Sequence, residues 1–126
     1  MVTLDAFTRA FFECALWSTC DESRDDGGDP LDEKYTIEDI APQCIAVLAA
    51  ECVTFQRENA ADLLTAKDAE HAGHDFWLTR NGHGAGFWDG DYPQEAGDRL
   101  TDASKAFGEV NLYVGDDGQI WAYEYI

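Results

Sequence analysis

Hydrophobic residues recur at helical spacing near the start of the chain. Leu4, Phe7 and Phe11 lie three or four positions apart, which predicts a helix over residues 4 to about 18 with Thr3 as its N-cap. The helix is expected to bury this apolar face against the rest of the domain.

A second helix is predicted to begin after Thr36, because this residue suits an N-cap and two acids follow it in the first turn. One apolar face continues to about Phe55, with Pro42 as an irregularity near the start. The alanine-rich residues 59–72 then predict a less regular helical stretch that ends at Gly73.

Two aromatic segments flank a glycine-rich turn at residues 74–90, where the sequence reads HDFWLTRNGHGAGFWDG. Asn81 and Gly82 readily adopt the positive φ of a tight turn, so this pattern favours a β-hairpin. The alternative interpretation is a helix that ends at Asn81 and Gly82.

The last third of the chain predicts a helix followed by a hairpin. Pro93 suits a first helical turn and Gly108 is placed to end that helix. Apolar residues alternate from Val110, residues 116–118 form a turn, and an aromatic strand follows over residues 120–125. The element order predicts a single α+β domain, in which about three helices cover one face of an antiparallel sheet of two hairpins.

Composition supports a folded domain that works in water. The chain has 126 residues, of which 45% are hydrophobic and 13% aromatic, too many for a disordered acidic tail. The first ten residues lack the features of a secretory signal, and the most apolar stretch, residues 40–50, is too short to span a bilayer. We expect a cytoplasmic protein of a bacterial or archaeal host without a membrane role.

Charge narrows the classes of partner. The chain has 26 acidic against 8 basic residues, a formal net charge of −18. Repulsion of this size destabilises a compact fold, so a cationic partner, bound cations or a salty environment is expected. Direct nucleic-acid binding is disfavoured because it requires a basic surface.

The acids are densest in a loop predicted over residues 20–35. Its candidate partner-binding acids are Asp21, Glu22, Asp25, Asp26, Asp29, Asp32 and Glu33. A second row is predicted on the third helix at Glu95, Asp98 and Asp102, because spacings of three and four share a helical face. A solvated loop without a partner is the alternative interpretation.

The sequence shows no pattern typical of a catalytic, metal or cofactor site. An EF-hand register in the acidic loop fails, since Glu22 and Arg24 occupy positions that favour Asp or Asn. Four cysteines without C-x-x-C spacing are interpreted as buried reduced thiols, and three histidines form no specific metal motif. We expect no enzyme activity, metal or cofactor. The one polar cluster worth testing comprises Asp75, Arg80, Asn81 and His83.

The run AGHDFWLTRNGHGAGFWD at residues 72–89 resembles the most recognisable segment of a family of small acidic proteins found in phages, plasmids and other mobile elements. The segments AFTRAFFECALWS, DPLDEKYTIEDIAP, GDRLTDASKAFG and NLYVGDDGQI are similar to other blocks of that family, so the similarity covers nearly the whole chain. The resemblance implies a small mobile-element protein and no particular activity.

Two functional hypotheses follow. In the first, the carboxylates imitate phosphates and occupy the nucleic-acid-binding groove of a host defence or DNA-processing protein, as a DNA mimic does. In the second, the chain is an accessory protein that recognises a partner through residues 74–90, and its acidity reflects salt adaptation. The sequence leaves the partner's identity and the oligomeric state open.

Overall fold

Five α-helices and one two-stranded sheet form the secondary structure of the described residues. The structure is a computed structural model that describes residues 4–20, 28–82, 85–89 and 91–122. The helices are α1 (Ala6–Ser18), α2 (Pro42–Glu58), α3 (Ala60–Leu63), α4 (Ala69–Arg80) and α5 (Gln94–Ala106); the antiparallel strands are β1 (Leu112–Val114) and β2 (Ile120–Ala122). The α+β class is therefore confirmed, with more helix and less sheet than the sequence pattern predicted.

The first predicted helix is present as α1. Its N-cap is Asp5, whose carboxylate accepts a hydrogen bond from the Thr8 backbone N–H at 2.8 Å and so satisfies one unpaired amide of the first turn. Thr3, the predicted cap, lies outside the described residues.

Residues 69–80 form helix α4, so the first predicted hairpin is wrong and the helical alternative is confirmed. The Asp68 carboxylate caps the helix by accepting from the His71 backbone N–H at 2.7 Å. Phe76 and Trp77 are buried within α4, which shows that core packing overrides their preference for strands. Asn81 and Gly82 follow the last turn, and Gly82 has a φ of 68°.

The core lies where α1 crosses α4. Gly73, which was predicted to end a helix, instead lies inside α4 against the backbone of Phe7. This close approach brings aromatic rings of both helices together with Phe55 of α2. The Phe76 ring lies 5.3 Å from Phe11 and 4.1 Å from Phe55, measured between centroids, and all three side chains are buried.

The second predicted helix is divided. Thr36 and Asp39 form a capping box, but it belongs to a short 3-10 turn, Ile37–Asp39, that precedes α2. Helix α2 begins at Pro42 because proline lacks the backbone N–H that a first helical turn leaves unpaired. The irregularity predicted at Pro42 is therefore a break between the 3-10 turn and α2. A further 3-10 turn, Leu31–Glu33, lies within the predicted acidic loop.

The predicted C-terminal helix and hairpin are both confirmed. Helix α5 has Pro93 at its N-cap, and Gly108 adopts a φ of 84° just beyond its end. The hairpin pairs Leu112 with Ala122 and turns at Gly118, which has a φ of 80°. Residues 123–125 of the predicted second strand lie outside the described part of the chain. None of the described helices has the length and apolar character needed to cross a membrane.

Candidate functional site

An open groove of about 460 Å³ runs between α1 and residues 31–38. Its lining residues are Arg9, Glu13, Leu16, Asp32, Tyr35, Thr36, Ile37 and Glu38. Leu31 fixes this segment, because its side chain is buried and its backbone N–H donates to the Thr19 carbonyl at 2.8 Å. We call this surface, which carries the exposed carboxylates of Glu13, Asp32 and Glu38, the acidic groove.

A second acidic surface lies on α5. Glu95, Asp98 and Asp102 are all exposed on this helix, as their spacing predicted. Buried Leu100 and Gly97 anchor the opposite side, and a Cβ added at Gly97 would lie 2.7 Å from the Phe87 carbonyl oxygen. These three acids, which we call the α5 row, therefore lie on a helix held close to the core.

Three of the seven acids predicted in the loop lie within the described residues. Asp29, Asp32 and Glu33 are exposed, whereas the other predicted loop acids lie outside the described residues: Asp21, Glu22, Asp25 and Asp26. The acidic groove adds Glu13 and Glu38, which sequence reasoning missed. Their only sequence signal was their position on the polar side of a predicted helix and its N-terminal turn.

Two of the described cations are already engaged. The Arg99 guanidinium makes a bidentate ion pair with Asp62, with contacts of 2.8 and 2.7 Å, and this pair holds α5 against α3. Arg80 is buried in the core. Each of these two cations is paired with one carboxylate, Asp62 or Glu51, so the surplus of 18 acids remains on the other side chains.

The predicted polar cluster does not form a single site. Asp75 accepts a hydrogen bond from the Tyr92 hydroxyl at 2.7 Å. Arg80 pairs with Glu51, and Asn81 accepts from the Val110 backbone N–H at 3.0 Å. His83, the fourth predicted member, lies outside the described residues. Asp75, Arg80 and Asn81 thus connect α4 and its C-cap to three different parts of the chain.

Arg80 is the most enclosed charge of the described chain. Its guanidinium lies 2.8 Å from the Glu51 carboxylate and donates to the carbonyl oxygens of Gly108 and Phe107 at 2.8 and 3.1 Å. It also lies 5.2 Å from the centre of the Phe76 ring, within the range of a cation–π contact. These contacts join α2, α4 and the end of α5, so we assign Arg80 a structural role.

Asp75 is a buried carboxylate beside His71. The His71 Nε2 atom lies 3.2 Å from Asp75 and 3.3 Å from Asp91. Burial raises the pKa of the Asp75 carboxyl above its ordinary value of 3.8, while the Tyr92 hydrogen bond and the His71 imidazole act in the opposite direction. Burial also raises the pKa of Tyr92, and its hydrogen bond to Asp75 adds to that effect.

The raised pKa predicts how an Asp75→Asn substitution changes stability with pH. The folded protein holds this proton more tightly than the unfolded chain, so the ionised carboxylate becomes costly as pH rises above 3.8. Asparagine keeps an oxygen acceptor for Tyr92 without that charge. We expect the unfolding free energy of the variant, relative to wild type, to increase as pH rises through the folded-state pKa.

Urea unfolding at several pH values measures this difference. Glu70→Gln removes an exposed acid from the same helix and serves as the control for the loss of one negative charge. A relative stability of Asp75→Asn that stays constant or decreases across this range would contradict the assignment.

The cysteines show no arrangement typical of catalysis. Cys14, Cys44 and Cys52 are buried and form no disulfide, as predicted, whereas Cys20 is exposed. Burial and the nearby Asp75 charge raise the pKa of Cys14 to about 12, which keeps it a thiol at neutral pH. Within the described ranges, no group of three or more His, Cys, Asp or Glu residues could hold a metal ion.

The aromatic block at residues 74–90 contributes mainly to the core. Phe76, Trp77 and Phe87 are buried, whereas Trp88 is about half exposed, at 51%. The Trp77 indole N–H donates to Ser18 at 2.7 Å, and the Phe87 backbone N–H donates to the Thr79 hydroxyl at 3.1 Å. Most of this block therefore stabilises the fold.

Comparison with known proteins yields no matching family model, no matching curated protein and no matching solved structure. The surface of this chain therefore supplies the basis for a function.

Proposed function

We propose that the chain is a non-enzymatic acidic protein that acts as a DNA mimic and occupies the nucleic-acid-binding groove of a basic host protein. The observation that carries this proposal is the exposure of carboxylates on ordered elements, in the acidic groove and along the α5 row. A host defence or DNA-processing protein is the class of partner that such a surface suits, because its own groove is built to attract phosphate.

Spacing supports the mimicry. A helix rises 1.5 Å per residue, so the carboxylates of Glu95, Asp98 and Asp102 recur about every 5 Å along the axis of α5. A single DNA strand carries one phosphate for about every 3.4 Å of helix axis. A row of three acids at this interval presents negative charge at a density comparable to a short stretch of DNA backbone.

The scaffold favours this use because it fixes the charges in place. Leu100 and Ser104 of α5 are fully buried, which anchors this helix on the core. Leu31 similarly anchors the segment that lines the acidic groove. Carboxylates already held in position lose less conformational entropy on binding than those of a flexible tail.

The resemblance to small acidic phage and plasmid proteins supports the same proposal. A mobile-element protein in a bacterial or archaeal cytoplasm meets the nucleic-acid-binding proteins of its host, which are basic. The accessory-protein hypothesis requires residues 74–90 to contact a partner. It is less favoured because Phe76, Trp77 and Phe87 of this block are buried in the core.

Neutralising the acids in matched sets tests whether their positions matter. One variant carries Glu13→Gln, Asp32→Asn and Glu38→Gln in the acidic groove, and a second carries Glu95→Gln, Asp98→Asn and Asp102→Asn in the α5 row. The control removes three exposed acids elsewhere, through Glu58→Gln, Glu70→Gln and Glu109→Gln. All three variants change the net charge by the same amount.

The probe is the set of bacterial proteins that salt elutes from a DNA column. We expect the immobilised wild-type chain to capture a basic protein from this set at about 50 mM salt and to lose most of it at about 200 mM. The groove and α5 variants should capture at least tenfold less, whereas the control should resemble wild type. Equal capture by all variants, or an equal loss in all three, would refute a role for fixed positions.

Unfolding measured at the same two salt concentrations separates mimicry from salt adaptation. An acidity that serves only a salty environment predicts a large stabilisation by salt and no capture of a basic protein.

A further inference from the structure

We propose that the exposed face of α2 is the surface through which two copies of this chain pair. The outward side chains of this face include Pro42, Gln43, Ala46, Val47, Ala50 and Val53, all exposed. Val47 and Val53 are 42% and 50% exposed. Exposed apolar side chains grouped on one face of a helix are typical of a contact with another molecule. We call it the α2 face.

The α2 face is unusual for a chain of such charge. Between Pro42 and Gln56 the only ionisable acid is Glu51, and its carboxylate pairs inward with Arg80 at 2.8 Å. The outer surfaces of the other long helices all carry charge: exposed Glu13 on α1, Glu70 on α4 and Asp98 on α5. A chain with a net charge of −18 thus keeps one helix face free of exposed acids from Pro42 to Gln56, and the exposed charge on this face is the cation Arg57.

This lack of exposed acids selects a second copy as the occupant. Two copies that each carry −18 repel one another through any acidic surface, so the α2 face is where they can approach at the least electrostatic cost. A basic partner, by contrast, would be drawn to the carboxylates of the acidic groove and the α5 row. The α2 face and the acidic surfaces therefore favour different occupants.

The residue pattern of the α2 face is self-complementary about Ala50. Val47 and Val53 lie three positions on either side of it, and Gln43 and Arg57 lie seven positions on either side. If two α2 helices pack antiparallel across a two-fold axis at Ala50, Val47 of each copy faces Val53 of the other. A two-fold interface requires this reciprocal arrangement. The small Ala50 side chain lets the helices approach closely, and the antiparallel helix dipoles attract.

Size and charge predict a reversible dimer. A contact made by one helix from each copy is smaller than the roughly 1,200–2,000 Å² of a stable interface. Salt screens the repulsion between the two acidic molecules, so dimerisation should strengthen as salt increases. Capture of a basic partner should weaken under the same change, which makes this inference separable from the proposed function.

Sedimentation velocity of the full chain over a range of protein concentrations and at low and high potassium chloride tests the proposal. We expect a concentration-dependent dimer whose association constant rises at least several-fold with salt. Ala50→Glu places two like charges across the two-fold axis and should leave the chain monomeric. Leu64→Glu adds the same charge at an exposed position just after α3 and should dimerise like wild type.

Circular dichroism checks that both variants fold, and capture of basic protein by Ala50→Glu should remain as in wild type. A wild-type chain that stays monomeric at every concentration and salt, or an Ala50→Glu variant that dimerises like wild type, would overturn the proposal. Loss of dimer in both variants would assign the association to total charge and would overturn it equally.

Discussion

Replacing Arg80 with methionine is expected to lower the free energy of unfolding by about 3 kcal/mol or more, because it leaves partly buried charge and backbone without partners. The Glu51 carboxylate would lose the guanidinium at 2.8 Å, and the carbonyls of Phe107 and Gly108 would lose their donors. Methionine fills a similar volume, so the loss reports on the polar contacts more than on a cavity.

A double variant identifies the cause of this loss. Adding Glu51→Leu to Arg80→Met removes the carboxylate that the first change leaves unpaired, so part of the lost stability should return. Urea unfolding measures both variants. An Arg80→Met protein within about 1 kcal/mol of wild type, or a double variant that is less stable than the single one, would contradict the assigned role.

Replacing Gly73 with alanine is expected to destabilise the protein by about 3 kcal/mol, because α1 and α4 touch at this residue. An added Cβ would lie 2.1 Å from the Phe7 carbonyl oxygen and 3.2 Å from the Ala10 Cβ. The first contact is with backbone, so relief requires the two helices to move apart and the aromatic core between them to repack. The higher helix propensity of alanine, about 1 kcal/mol, offsets only part of this cost.

Thermal and urea unfolding of Gly73→Ala measure the effect, with His74→Ala as the control at the exposed neighbouring position on α4. The control should remain within about 0.5 kcal/mol of wild type. If Gly73→Ala were as stable as wild type, the helices would not be in contact at this point, and the description of the core would be wrong.

The elements with local start and stop signals were predictable from the sequence. Helix α5 has Pro93 at its beginning and Gly108 beyond its end, and the last hairpin turns at Gly118. In each case the residue fits a backbone conformation that few others adopt, so the signal does not depend on the rest of the fold.

Helix α4 was harder to predict than α5 or the last hairpin, because its local sequence signals conflict. Phe76 and Trp77 favour strands, and Asn81-Gly82 suits a hairpin turn as well as a helix end. The deciding contact is tertiary: Gly73 lets α4 lie against Phe7, more than sixty residues earlier in the chain. The sequence pattern does not indicate that Gly73 and Phe7 are in contact. Asp68 is nevertheless a valid N-cap signal for α4.

The acidic character of the candidate site was predictable from the sequence, but the positions of its carboxylates in the fold were only partly predictable. The α5 row follows from helical spacing alone, and Glu95, Asp98 and Asp102 are exposed as expected. The acidic groove required knowing that residues 31–38 pack beside α1, which brings Glu13 and Glu38 to one surface. Loop packing of this kind depends on the whole core and has no local pattern.

Competition with DNA shows directly whether the chain occupies a nucleic-acid-binding groove. A fluorescent DNA duplex is bound to the basic protein that the chain captures, and fluorescence anisotropy is followed as the chain is added. We expect the wild-type chain to release the duplex completely. The variant neutralised in the α5 row should need at least a tenfold higher concentration for the same release. A duplex that stays bound while the chain also binds would contradict the claim that its fixed carboxylates take the place of phosphates.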